Sequence, residues 1–174
     1  VFATLAALPP ERSEHLRPVL AAVAERRQPE DDIYVYYGAG QSFMYYAPRF
    51  GLDRTRFVLG RCSVTDPRVY LRDLDRLRRK SRVWIVATHA RLGATGLLLM
   101  LGYLDTIGRR VESIEVPATL NLPSIAAYGL LYDLSDEARL SKTSAEIYPV
   151  QTPPVDADFA EWGCYGTQSA LGRS

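Results

Sequence analysis

The chain has 174 residues, 47% of them hydrophobic and 24% charged, with a formal net charge of +1. That is one domain's length with enough apolar residues for a real core, and it lacks the basic excess that marks a nucleic-acid binder. The two cysteines, Cys62 and Cys164, and the two histidines, His15 and His89, are scattered without zinc-ligand spacing.

Residues 1–10 are apolar, but much shorter than the roughly 20 residues that span a bilayer, and they lack the basic flank of a signal peptide. They read as an N-terminal arm, either loosely packed or the end of a transmembrane helix, closed by Pro9 and Pro10. Ser13 is placed to cap a helix in which Leu16, Val19, Leu20 and Val23 fall at helical spacing. Residues 33–37 form a strand of β-branched and aromatic residues. Gly38-Ala39-Gly40 is the turn that follows, and 41–46 is a short helix stopped by Pro48 and Gly51. A second strand occupies 57–60. Asp66-Pro67 is a helix start, Tyr70, Leu74 and Leu77 are its buried face, and Asp75 and Arg79 can pair one turn apart.

Residues 83–87 are a continuous apolar run, which suits a central strand covered on both faces. A helix at 92–107, capped by Gly108, leads into strands at 111–116 and 126–134. Two strands in direct succession are expected as antiparallel neighbours at one edge. The alternation predicts an α/β domain over residues 11–140: a three-layer Rossmann-like sandwich, with a mostly parallel sheet of about five strands and an antiparallel edge pair. Residues 141–174 carry Pro149, Pro153, Pro154 and no sustained period, so they read as an irregular tail. Tyr148, Phe159, Trp162 and Tyr165 could still dock it.

Ligands of open α/β folds sit outside the carboxyl ends of the strands, which directs attention to the turn after the first strand and to the end of the apolar strand. Tyr37, Gly38, Gly40, Ser42, Tyr46 and His89 are therefore the candidate ligand-binding residues. Phe43 stands where a dinucleotide fingerprint needs its third glycine, so a tight turn needing a residue without Cβ is the favoured reading of Gly38. Backbone N–H groups at the start of the 41–46 helix, helped by Ser42, are positioned to hold an anion, and tyrosines beside a polar turn can stack on sugar rings. His89 can act as acid, base or ligand contact, but no Gly-x-Ser-x-Gly motif accompanies it. No residue is assigned a catalytic or metal-binding role, and no cofactor is expected. The basic run Arg76, Arg78, Arg79, Lys80 and Arg82 reads as a solvated helix end, with anionic lipid headgroups as the alternative. Residues 97–104 are apolar enough either to be buried on both faces or to meet a partner or a bilayer surface with one. A Cys62–Cys164 disulfide is open to the chain outside the cytoplasm.

The ordered set Arg17-Pro-Val-Leu20, Tyr34-Val-Tyr-Tyr-Gly-Ala39, Phe43-Met-Tyr-Tyr46, Val83-Trp-Ile-Val86 with His89, and Tyr132-Asp-Leu-Ser135 resembles a bacterial family. It looks like the soluble C-terminal domain of multi-spanning glycosyltransferases of the dolichyl-phosphate-mannose-protein mannosyltransferase-like class and related membrane proteins. The resemblance covers roughly residues 11–140. It implies a parent that transfers sugar from a polyprenyl phosphate on the periplasmic face of the inner membrane. This chain would then be an accessory domain, not catalytic alone. Its partners would be the membrane part of the same protein and a polyprenyl-phosphate sugar or glycan acceptor. Family members often carry a more charged helix where this chain has 97–104. The alternative function is a free-standing small-molecule or sugar-phosphate binding α/β module, cytoplasmic in that case; a hydrolase using His89 is a third.

Overall fold

Strand β1 (Asp32–Val35) is where the sheet begins, because its side chains are apolar on both faces and can be covered on both. A computed structural model describes residues 15–52, 57–62, 68–88, 95–117, 127–141 and 143–147. In it, β1 pairs in parallel with β2 (Phe57–Leu59) on one side and with β3 (Val83–Ala87) on the other. Beyond β3 lies β5 (Ala127–Asp133), antiparallel, with Trp84 opposite Leu131. At the edge lies β4 (Arg109–Val116), antiparallel to β5. The order is β2-β1-β3-β5-β4 in one five-stranded sheet. The protein is thus an α/β domain with an open mixed sheet, four strands running one way and β5 the other, as the alternation of elements led one to expect.

Each strand sends alternate side chains to opposite faces. Ile33, Val35, Trp84, Val86 and Leu131 pack with Leu16, Val19, Leu20 and Val23 of helix α1 (Leu16–Arg26) and with Phe43 of α2 (Gly40–Tyr46). Tyr34, Ile85, Leu130 and Tyr132 pack with Tyr70, Leu71 and Leu74 of α3 (Arg68–Asp75) and with Leu97, Met100, Tyr103 and Leu104 of α4 (Thr95–Ile107). The continuous apolar run of β3 follows from this double cover. Each fully buried aliphatic or aromatic side chain contributes about 1.5–3 kcal/mol. At the foot of the sheet the buried carboxylate of Asp31 accepts from Arg82 Nε (2.7 Å), Arg82 Nη2 (3.1 Å), Trp84 Nε1 (2.9 Å) and the backbone N–H of Gln28 (3.1 Å). A buried charge is tolerable only when satisfied in this way.

Several local expectations change. The caps expected at Ser13 and Asp66-Pro67 lie outside the described residues. Gly108 does not adopt a positive φ; a Cβ there would stand 2.6 Å from the carbonyl oxygen of Asp133, so close approach rather than left-handed capping demands glycine. Asp75 pairs with Arg78 (2.8 Å), not Arg79, whose backbone turns left-handed beyond the helix end (φ 71°). The run 97–104 is mostly internal: Leu97, Met100, Tyr103 and Leu104 are buried, and Leu98 faces out at 59% exposure. In the basic run, Arg76, Arg78, Lys80 and Arg82 each face a carboxylate, at 3.9, 2.8, 3.3 and 2.7 Å, which supports the solvated reading over an open polyanion surface. Regular structure also continues past residue 140. A short helix α5 (Ser144–Ile147) follows Thr143 and contacts α3 through Ser144 Oγ, which donates to Asp75 (2.7 Å).

Candidate functional site

The chain leaves β1, builds β2 on one side, then returns to build β3 on the other. A topological switch point therefore lies at the carboxyl ends of β1 and β3, the place where open α/β sheets commonly leave a crevice. The Tyr36 N–H reaches Val86 O (2.8 Å) and the Gly60 N–H reaches Val35 O (2.8 Å), so the strand ends stay laced together up to the turn. Tyr37–Ala39 then coils as a single 3-10 turn and runs without a break into α2.

This geometry alters the expected turn. Among the described glycines, only Gly51 has a positive φ (65°). Gly38 sits half-buried in the 3-10 turn with an ordinary backbone, so a left-handed conformation is not what selects it. Gly40 is buried, and a Cβ on it would meet Leu59 Cδ1 at 2.8 Å; it lets α2 approach β2. The N–H groups of Ala39 and Gly40 bond back to the carbonyls of Tyr36 and Tyr37. These two N–H groups are consumed by the turn that leads into the seven-residue helix.

The structure divides the candidate residues. Tyr37 packs toward the α3–α4 side, its ring stacked on Tyr70 (5.8 Å, 9°) and tilted against Tyr36 (4.5 Å). Tyr46, at the far end of α2, packs toward the α1 side. Ser42 is half-buried on α2. His89 lies outside the described residues. Thr88 immediately precedes it, fully buried, and among the described residues its Oγ1 has no hydrogen-bond partner. Alternation along β3 sets Thr88 on the Trp84 and Val86 side, beside the turn that carries Gly38. Leaving such a hydroxyl unpaired costs about 1–3 kcal/mol. Sequence reasoning passed over Thr88, although the first polar residue after five apolar ones was a readable signal.

Tyr34 and Tyr36 are buried in the core on the α3–α4 side. Burial is the main reason both phenols are pushed far above the ordinary tyrosine range. Tyr36 is raised further by Tyr37, with which it shares a hydrogen bond, and Tyr34 by Asp73. Both stay neutral at any physiological pH. Asp73, buried on α3, is held by Arg61 Nη2 (2.7 Å), Nε and backbone N–H. The next residue, Cys62, is disulfide-bonded; Cys164 lies outside the described residues. Two clefts of about 260 and 300 Å³ lie elsewhere, between α3 and the segment after β5. One is lined by Arg68, Arg72 and Ser144, the other by Asp75, Arg78 and Leu140. The Asp75–Arg78 ion pair walls the second, so it reads as a packing seam.

Among the described residues no three His, Cys, Asp or Glu side chains gather as a metal set, and no helix is long and apolar enough to cross a membrane. No protein-family model, curated protein or solved structure matches the chain.

Proposed function

We propose that this chain is a ligand-holding accessory domain that works outside the cytoplasm, its ligand seated at the carboxyl ends of β1 and β3. The finer architecture proposed with it is a three-layer Rossmann-like sandwich. The observation that carries the binding reading is Thr88, a buried hydroxyl without a partner at the switch point. A ligand hydroxyl or carbonyl would satisfy it. The disulfide at Cys62 supports an oxidising compartment, since such bonds are rare in the cytosol. The motif set supports a glycosyltransferase-like membrane parent, with a polyprenyl-phosphate sugar or a glycan acceptor as the ligand. A coding frame without hydrophobic spans upstream would remove that parent and leave a free-standing binding module.

The binding claim is tested with Thr88→Val, which keeps the shape and deletes the hydroxyl. Wild-type protein and variant are titrated by NMR with saccharides, sugar phosphates and nucleotides. Affinity for whichever class binds should fall about tenfold in the variant, the equivalent of one lost hydrogen bond. Folding stability should hold or rise by about 1 kcal/mol, because the unpaired group is gone. Silence from every ligand up to about 10 mM, a binding energy below roughly 3 kcal/mol, would end the proposal.

A further inference from the structure

On the outer side of α1 and α2, away from the switch point, four side chains gather at the surface. Arg49, in the turn that continues α2, lies over the Tyr45 ring at 4.7 Å and over the Tyr46 ring at 5.6 Å, and its Nη2 donates to Tyr45 Oη (3.0 Å). Arg17, from the first turn of α1, lies over the same Tyr46 ring at 5.8 Å. The two rings meet edge to face at 4.8 Å. Tyr45 is 62% exposed, the most exposed large hydrophobic side chain among the described residues.

Among the described residues the charge is uncompensated. The first turn of α1 carries no acidic residue, nor does α2 or the turn after it. Among the described residues neither Arg17 nor Arg49 forms an ion pair, whereas Arg26, Arg61, Arg78, Arg82 and Arg110 each do. A guanidinium laid on an aromatic face has already lost much of its side-chain freedom and still presents its N–H fork outward. Two such forks beside an open tyrosine face make a receptor for an oxyanion attached to a ring with apolar C–H groups.

We propose that Arg17, Tyr45, Tyr46 and Arg49 form a surface site for an acidic saccharide, a pyranose carrying a carboxylate. The guanidinium forks take the carboxylate, and the exposed face of Tyr45 takes the sugar ring. The site is separate from the crevice and does not rest on the ligand proposed there.

The test titrates the protein with a galacturonic acid trimer, a neutral galactose trimer, triglutamate and inorganic phosphate at low ionic strength, reading amide and tyrosine ring shifts by NMR. The acidic trimer should bind at least about tenfold more tightly than the other three, and Arg17→Gln and Arg49→Gln should each weaken it about five- to tenfold, the range of one charge-assisted contact. Both arginines are exposed to solvent on the helix surface, and thermal melts of the variants should match wild type. Equal binding of the neutral trimer, triglutamate matching the uronate, phosphate matching the uronate, or full affinity in both variants would each overturn the proposal.

Discussion

A Cβ at Gly60 would run into Tyr34 Oη and stand 3.2 Å from the carbonyl oxygen of Val35. Gly60 is required for proximity, since its φ is not positive. The hydroxyl it touches is itself buried without a partner. Gly60→Ala should therefore cost about 1–3 kcal/mol through overpacking. Tyr34→Phe should be neutral or stabilising, because it deletes an unpaired polar atom. The double variant should recover part of the Gly60→Ala loss, since the two groups are in contact and their effects should not add. Urea denaturation of the three proteins measures this. A Gly60→Ala midpoint equal to wild type would mean that β2 does not press on Tyr34 as described. The same comparison shows how sequence misleads at single residues. A glycine after a strand announces a special backbone, yet Gly38 has an ordinary one, and the glycines crowded by a neighbour are Gly40, Gly60, Gly96, Gly108 and Gly129. Their requirement arises from neighbours distant in sequence, which no local pattern encodes.

At the scale of elements the sequence was more legible. Burial writes itself into periodicity: the five apolar residues of β3 and the stripe Leu16, Val19, Leu20 and Val23 follow directly from having a core to cover. The candidate site was legible in position but not in membership, because a strand end can be read from sequence whereas facing requires register. Tyr37 and Tyr46 sit nine positions apart and end on opposite faces. Helix α5 was missed, although Thr143 and Glu146 have capping-box spacing. In the structure the Thr143 N–H and Oγ1 each donate to Glu146 Oε2 at 2.7 Å, and the Glu146 N–H returns to Thr143 Oγ1 at 3.3 Å. A helix of four residues has too little intrinsic stability to stand without such a cap and a docking contact. Thr143→Ala should accordingly destabilise by about 0.5–2 kcal/mol. Hydrogen exchange should locate the loss in α5 while the protection of β3 stays as it was; uniform loss across the sheet would contradict a local cap.

For the whole molecule, polar contacts on the α3–α4 side tie parts of the chain that are distant in sequence, and the buried phenols give the fold a pH limit. Tyr103 of α4 donates to the Asp75 carboxylate of α3 and accepts from Arg78 Nη2 (2.6 Å). Arg78 Nη1 continues to the carbonyl of Leu140 (3.0 Å). This joins α3, α4 and the segment after β5. The Tyr103 phenol is pushed up from 10.0 to about 12, mainly by burial and then by its hydrogen bond to Asp75. Tyr34, Tyr36 and Tyr132 are raised too, each chiefly by burial. When the folded state holds a phenol's proton more tightly than the unfolded state, the unfolded chain binds fewer protons as pH rises, and stability falls with pH. The contribution is thus complete below pH 10.0 and is lost as pH climbs through about 12 for Tyr103. Thermal melts at stepped pH should be flat through neutrality and drop steeply above about pH 10. Tyr103→Phe should start lower, having lost its two hydrogen bonds, and fall less steeply over that interval, since one of the phenols that drive the fall has been removed. An identical alkaline slope in wild type and variant would show that Tyr103 is not one of the phenols that make the fold sensitive to alkali.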